Sequence, residues 1–129
     1  MNKSVSSLFR FFLRFRYPVS MPEDIATDLG LSIPRFLTFQ EFVACLKSPD
    51  IQPSKLIKFM GREQAEQIFR TAIRKERFSE QSFFSYYFNE GWLEFILQFD
   101  EKSRLRRLYI QHKDLSPKVE IAICRQSEQ

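Results

Sequence analysis

The residue types best suited to binding a metal are two cysteines and one histidine. Cys45, His112 and Cys124 are widely separated in the chain. Small zinc sites take such ligands at close spacings, typically CxxC or HxxxH, and neither spacing occurs here. A single histidine on a predicted strand is more typical of a structural residue. The sequence therefore predicts no metal site and no cofactor.

The two cysteines would form one disulfide if the fold brought them together. The alternative, which we prefer, is that Cys45 and Cys124 are free, buried thiols. Free thiols are typical of proteins that reside in a reducing compartment. The sequence thus favours an intracellular, cytoplasmic protein.

Carboxylates close together could perform acid–base catalysis. Glu90 and Glu94 flank Trp92, but no feature of the sequence brings the two carboxylates together. The chain also has no nucleophile elbow, Walker loop or dinucleotide-binding fingerprint. We therefore predict a non-enzymatic protein without catalytic residues. An enzyme whose site is built from distant segments is kept as an alternative.

Residues 22–41 resemble the helix-turn-helix signature of DNA-binding proteins. Ala26 and Gly30 stand where that motif has its small residue and its turn glycine. The resemblance implies DNA binding as an alternative function, and the side chains that would contact DNA are Ser32, Arg35 and Thr38. Against it, Thr38 and Glu41 form a capping box that predicts a helix start within the second helix of the motif.

The excess of positive charge lies at the N-terminus. The chain has 20 basic and 16 acidic residues, and four of the basic residues but none of the acidic ones lie in residues 1–22. Residues 23–129 therefore carry no net charge. A DNA-binding domain usually presents a basic face, so nucleic acid is not the expected partner.

The N-terminal segment, residues 1–22, is basic and rich in phenylalanine. Residues 5–17 form an amphipathic pattern whose apolar runs are too short to cross a membrane. Four interpretations remain: a first helix packed on the domain, a helix that binds a partner or a membrane surface, an organelle transit peptide, or a mis-assigned start, with translation beginning at Met21. The second and third would place the protein on a membrane or in an organelle.

Residues 23–129 are predicted to form a single α+β domain, and the chain is predicted to begin with three to four helices. The expected helices span residues 22–30, 38–48 and 54–77. The first is expected to be capped by Ser20 with Glu23 and the second by the capping box at Thr38. The third shows apolar residues at i, i+3, i+4, i+7 and i+8 from Ala65.

The second half of the chain changes to a period of two, which is typical of strands. The expected strands span residues 83–88, 92–99, 104–112 and 118–124. With a short turn between the second and third, they predict a four-stranded antiparallel meander that packs helices on one face. In residues 92–99, the buried side is expected to hold Leu93, Phe95, Leu97 and Phe99.

The other side of the meander carries aromatic residues and arginine, which are enriched in protein-binding hot spots. We therefore predict an interaction module, an adaptor or chaperone-like protein, that binds a protein partner through this side and the N-terminal segment. The expected contact residues are Phe9, Arg10, Phe12, Arg14, Trp92, Arg107 and Tyr109. Packing by the N-terminal segment itself would cover the same side.

Overall fold

The protein is an α+β protein built of short helices followed by an antiparallel sheet. The structure, a computed structural model, describes residues 19–34, 36–112 and 118–125. Within these residues the elements are α1 (Pro22–Leu29), α2 (Phe39–Lys47), α3 (Arg62–Ile68), β1 (Arg74–Phe78), β2 (Gln81–Tyr87), β3 (Trp92–Phe99), β4 (Leu105–Gln111) and β5 (Val119–Ile121). The mixed class is as predicted, but the sheet has five strands and not four.

Helix α1 lies where it was predicted, but the side chain that caps its start is not the predicted one. Gly30 follows it in the left-handed conformation, with φ of 72°, and its N–H donates to the carbonyl of Ala26. The start is capped by Asp24, whose carboxylate accepts the N–H of Met21 at 3.0 Å. The predicted cap at Ser20 is wrong, because the Ser20 hydroxyl accepts the backbone N–H of Tyr87 instead.

Helix α2 confirms the predicted capping box. The Glu41 carboxylate accepts the N–H of Thr38 at 2.9 Å, and the Thr38 hydroxyl accepts the N–H of Glu41 at 3.1 Å. These two bonds satisfy two N–H groups that a helix start leaves without an intrahelical partner. The buried side of the helix is formed by Phe39, Phe42, Val43 and Leu46.

The predicted helix over residues 54–77 is wrong at both ends. Only Arg62–Ile68 is helical, and residues 74–77, expected as the end of this helix, belong to strand β1. Of the predicted apolar positions, only Ala65 and Ile68, one turn apart, lie in the helix. The chain leaves the helix after Ile68, and the Phe69 ring stacks on Phe84 with the ring centres 4.4 Å apart.

Strand β1 is an edge strand that pairs antiparallel with β2 from Arg74–Ser85 to Phe78–Gln81. All five of its side chains are exposed, so its sequence shows no buried alternation. Arg74 and Arg77, which fall within the predicted helix over residues 54–77, lie on this strand instead. Arg77 donates to the carboxylate of Glu66 on α3, which ties the strand to the helix.

The remaining strands follow one another in the order β2, β3, β4 and β5, as the meander prediction required. The register shifts between Gln98 and Phe99, which pair with Arg107 and Leu105. Arg106 is the extra residue of this bulge. Leu105 is therefore buried, whereas simple alternation placed Arg106 on the buried side.

One side of the sheet shares its core with the three helices. The inward side of β3 is as predicted, since its four alternate apolar residues are at most 2% exposed. The helices contribute to the same core through residues such as Ile25, Phe42 and Ala65. The strand residues of this core are Phe84, Tyr86, Leu93, Phe95, Leu97, Phe99, Leu105, Leu108, Ile110 and Ile121.

A buried carboxylate joins α1 to the sheet. Asp28 is only 5% exposed, and its Oδ2 accepts the Thr71 N–H at 2.8 Å, the Thr71 hydroxyl at 2.5 Å and the Tyr86 hydroxyl at 3.0 Å. Burial raises the pKa of Tyr86, and the Asp28 carboxylate raises it further. The phenol therefore stays a donor, and the carboxylate has the partners that a buried charge requires.

Replacing Tyr86 with phenylalanine is expected to destabilise the protein by about 2 kcal/mol, because the buried Asp28 carboxylate then loses a donor. Urea denaturation of Tyr86→Phe against the parent chain measures this change. Tyr109→Phe removes a hydroxyl from a partly exposed side chain and serves as the control, with an expected change below about 0.5 kcal/mol. Equal losses in the two variants would contradict a special role for the Asp28 contact.

The left-handed residue after α1 gives a second stability prediction. An added Cβ at Gly30 would lie 2.3 Å from the Ser54 hydroxyl oxygen and would strain a backbone with positive φ. Gly30→Ala is expected to cost about 1–2 kcal/mol in thermal or urea unfolding. Gly61, where an added Cβ meets nothing within 4 Å, supplies the control Gly61→Ala, with an expected change below about 1 kcal/mol.

Candidate functional site

The side of the sheet that faces away from the shared core carries a row of apolar side chains. Phe83 on β2 is opposite Ile96 on β3, and Ile96 is opposite Tyr109 on β4. Tyr87 and Trp92 form the next apolar pair along the β2–β3 ladder. We call these five residues the outer face. None of them belongs to the core cluster that the helices share.

The outer face is neither fully buried nor fully exposed. Ile96 at its centre is 3% exposed, whereas Phe83, Tyr87, Trp92 and Tyr109 are all half-buried. Directly opposite side chains in an antiparallel pair lie about 5 Å apart, so the rings of Phe83 and Tyr109 can shelter Ile96 from both sides. The result is a small apolar surface with aromatic edges.

The predicted contact residues of the sheet lie together on this side. Trp92 and Tyr109 belong to the outer face, and Arg107 lies beside it, opposite Gln98. The Arg107 guanidinium donates to the Tyr109 hydroxyl at 3.5 Å, and the Lys118 ammonium lies 4.6 Å from the centre of the Tyr109 ring. The other predicted contact residues, Phe9, Arg10, Phe12 and Arg14, lie outside the described residues.

The N-terminal segment reaches the domain beside the outer face. The Ser20 N–H donates to the carbonyl of Tyr87 at 2.6 Å, and the Tyr87 N–H donates to the Ser20 hydroxyl at 3.2 Å. Val19, the first described residue, is 8% exposed and, like Ile96, is buried without belonging to the shared core. The basic segment therefore ends next to the Tyr87–Trp92 pair.

A carboxylate lies within this side of the sheet. Glu94 is half-buried on β3 and accepts a long hydrogen bond of 3.4 Å from the Ser85 hydroxyl. Burial raises the pKa of Glu94 above its ordinary value, and the nearby Glu76 raises it further, while Arg74 opposes the shift. A charged Glu94 is thus disfavoured unless another cation approaches it.

The raised pKa of Glu94 gives a prediction about pH. Above the ordinary pKa of about 4.5 the unfolded chain ionises at Glu94 before the folded protein does, so stability falls as the pH rises through the folded pKa. Replacing Glu94 with glutamine is expected to remove this loss. In urea denaturation, the free energy of unfolding of Glu94→Gln should change more favourably from about pH 4 to about pH 7 than that of the parent chain, because carboxylates with a lowered pKa, such as Glu66, are present in both proteins. Glu101→Gln, in an exposed turn, is the control.

A concave site with a volume of about 340 Å³ lies between α3 and β1. Its wall includes Glu66, which accepts hydrogen bonds from Arg62, Arg77 and Ser82. Burial alone would raise the pKa of Glu66, but the bonds from Arg77 and Ser82 outweigh it and hold the pKa below its ordinary value. Glu66 and Arg77 of this groove are paired with each other, and this pair holds the helix on the sheet.

Two of the residues of the DNA-binding alternative, Ser32 and Thr38, do not lie together on a helix. Ser32 is exposed in the connection between α1 and α2, and Thr38 caps α2. Arg35 lies outside the described residues. The connection spans residues 30–38, whereas a helix-turn-helix motif joins its helices through a turn of about three or four residues.

The candidate metal ligands do not form a site. In the ranges 19–34, 36–112 and 118–125, no group of three or more histidine, cysteine or acidic side chains could hold a metal ion. Cys45 and Cys124 are free but only partly buried, rather than fully buried as expected. His112 is buried just after β4, with its ring 6.0 Å from that of Phe39. Within the same ranges, no helix has the length and apolar character needed to cross a membrane.

Phe83 was missed by the sequence interpretation, although it completes the central row of the outer face. Its strand was recognised, but the pairing of Phe83 with Ile96 depends on how the chain turns between β2 and β3. That turn places Tyr87 opposite Trp92, and the register then follows residue by residue. Counting back from this pair along two alternating segments would have found Phe83.

Comparisons with known proteins return no match. No protein-family model matches the chain, and neither a curated protein nor a solved structure does.

Proposed function

We propose that this protein is a non-enzymatic interaction module, an adaptor or chaperone-like protein, that binds a protein partner through the outer face. The proposal depends mainly on one observation: the row Phe83–Ile96–Tyr109 lies on the side of the sheet that the shared core does not use. An antiparallel sheet commonly exposes its second side to water, and that side is then polar. An aromatic row there calls for another surface to cover it.

The chemistry of the outer face supports a protein as the partner. Tryptophan, tyrosine and arginine are the residues most enriched in binding hot spots, and Trp92, Tyr109 and Arg107 lie on this side. Tyr87 and Trp92 form a pair at one end, and Ile96 supplies an apolar centre. An apolar segment of a partner could cover this surface while the tyrosine hydroxyls remain at its rim.

The partner segment is expected to be acidic at one end. The basic segment that precedes Val19 contributes four positive charges and no negative charge, and Ser20 fixes its end beside Tyr87. A partner that covers the outer face therefore lies beside Ser20, where the basic segment joins the domain. Electrostatic complementarity of this kind favours acidic partners and speeds their association.

The same geometry allows a competing occupant, the N-terminal segment of the chain itself. A helix of 18 residues extends about 27 Å, and five strands span about 19 Å, so the segment is long enough to cross the sheet. Burial of Val19 outside the shared core is compatible with either occupant. Deletion of residues 1–18 distinguishes a protein partner from the N-terminal segment as the occupant.

Co-purification of the full chain from its native cells tests the partner interpretation. We expect a partner that is retained by the parent chain and lost, by at least about tenfold, from the double variant Trp92→Ser and Tyr109→Ser, because hot-spot truncations each cost about 1–2 kcal/mol or more. Phe36→Ser is the matched control, since Phe36 is an aromatic residue with 84% exposure outside this face. The control should retain the partner.

Deletion of residues 1–18 separates the two occupants. If the partner is a protein, the shortened chain keeps its thermal stability and still loses the partner when Trp92 and Tyr109 are replaced. If the segment covers the face itself, the deletion lowers the melting temperature and the full chain retains no partner through Trp92 and Tyr109. The second result would overturn the proposed function.

A further inference from the structure

A second surface, which includes none of the outer-face residues, has three cations around one phenylalanine, Phe59. The ring of Phe59 is 42% exposed. The guanidinium carbon of Arg106 lies 4.8 Å from its centre, that of Arg104 lies 5.5 Å away, and the ammonium of Lys58 lies 5.5 Å away. We call Lys58, Phe59, Arg104 and Arg106 the Phe59 cluster.

The residue that carries this ring, Phe59, has a strained backbone. Its φ is 73°, in the left-handed region that favours glycine and is unfavourable for residues with a Cβ. The strained residue is fixed from both sides, since its N–H donates to the carbonyl of Leu105 at 2.7 Å and the Leu105 N–H donates to the carbonyl of Met60 at 2.8 Å. Strain that is fixed in this way is concentrated at functional sites.

A second irregularity of the backbone brings Arg106 to the same place. Arg106 is the extra residue of the bulge in β4, between Leu105 and Arg107. Without the bulge, the alternation of the strand would direct Arg106 into the core. Bulges redirect single side chains in this way and are common beside binding sites. A strained phenylalanine and a bulged arginine thus converge on one exposed cluster.

The charge of the cluster suits a doubly charged anion. Three cations lie around the ring, and Asp100 neutralises one of them through contacts to Arg104 at 3.0 Å and Arg106 at 3.6 Å. Two positive charges remain. A phosphate monoester carries nearly two negative charges at neutral pH and accepts parallel hydrogen bonds from guanidinium groups.

We propose that the Phe59 cluster binds a phosphorylated side chain of a protein. Arg104 and Arg106 donate to the phosphate oxygens, Lys58 adds a third charge, and the Phe59 ring holds the two guanidinium groups in place through cation–π contacts. This site does not depend on the outer face, so it stands or fails separately from the proposed function.

A single phosphate fits the molecule better than a nucleic acid does. Strands of nucleic acid are bound through an extended basic surface, and residues 23–129 carry no net charge. The ring of Phe59 is also flanked by its cations, so its faces are less available for stacking a base. The cluster is a local concentration of charge on a neutral domain.

Nuclear magnetic resonance titration of the full chain tests the proposal. The probes are N-acetyl-O-phosphoserine amide, its unphosphorylated parent, inorganic phosphate and a short oligothymidylate. We expect the phosphoserine probe to shift the side-chain Nε–H signals of Arg104 and Arg106 saturably, and the parent compound to leave them unchanged. Tighter binding of inorganic phosphate or of the oligonucleotide than of phosphoserine would overturn the assignment to a phosphorylated side chain.

Variants locate the site. Arg106→Gln is expected to weaken phosphoserine binding about tenfold or more, because a hydrogen bond to a charged group is lost. Arg70→Gln, an exposed arginine outside the cluster, should leave the affinity unchanged. Equal affinities of Arg106→Gln and the parent chain would contradict the proposal.

Replacing Phe59 separates binding from folding. Phe59→Gly relieves the positive φ, so we expect the melting temperature to stay the same or rise while phosphoserine affinity falls about twofold to fivefold, the range of an exposed cation–π contact. A variant that loses stability while keeping the parent affinity would show that the ring serves only the fold. If Phe59→Gly does not fold, Arg106→Gln alone decides the outcome.

Discussion

The buried carboxylate of Asp28 is the interaction on which the path of the chain depends. It lies at the end of α1, and it holds both the N–H and the hydroxyl of Thr71 as well as the phenol of Tyr86. Thr71 is held there three residues after Ile68, the last residue of α3. The chain turns at Phe69 and enters the sheet where the Ile73 N–H donates to the carbonyl of Ser85. The edge strand β1 follows next in the chain.

The two sides of the sheet differ in composition and packing. The inner side is a continuous apolar core, closed by the helices and by stacked rings such as Phe69 on Phe84. The outer side carries only a row of apolar residues among serine, glutamate and arginine, which is too little to form a second core. Such a mixed surface stays stable in water while offering aromatic area to another molecule. The division between the core side and the mixed side therefore follows the pleat of the strands.

The sequence predicted the elements that local patterns define, and failed where distant contacts decide. The capping box of Thr38 and Glu41, the glycine after α1 and the alternation in β3 are all local, and all were predicted. Strand β1 was missed because its exposed residues Arg74–Phe78 have no buried alternation and follow a helical pattern. The bulge at Arg106 and the positive φ of Phe59 leave no local signal either. The outer face was recognised in part, since Trp92 and Tyr109 were identified but their neighbour Phe83 depends on register.

The edge formed by β1 has a consequence for how copies of this protein behave in a crowded solution. An exposed strand edge can recruit a strand from another molecule and begin a fibril. Here the edge carries Arg74, Lys75, Glu76 and Arg77 in succession, all exposed. Stacking two such edges would desolvate several charges and bring like charges together. The chain can therefore leave one end of its sheet open without inviting growth into fibres.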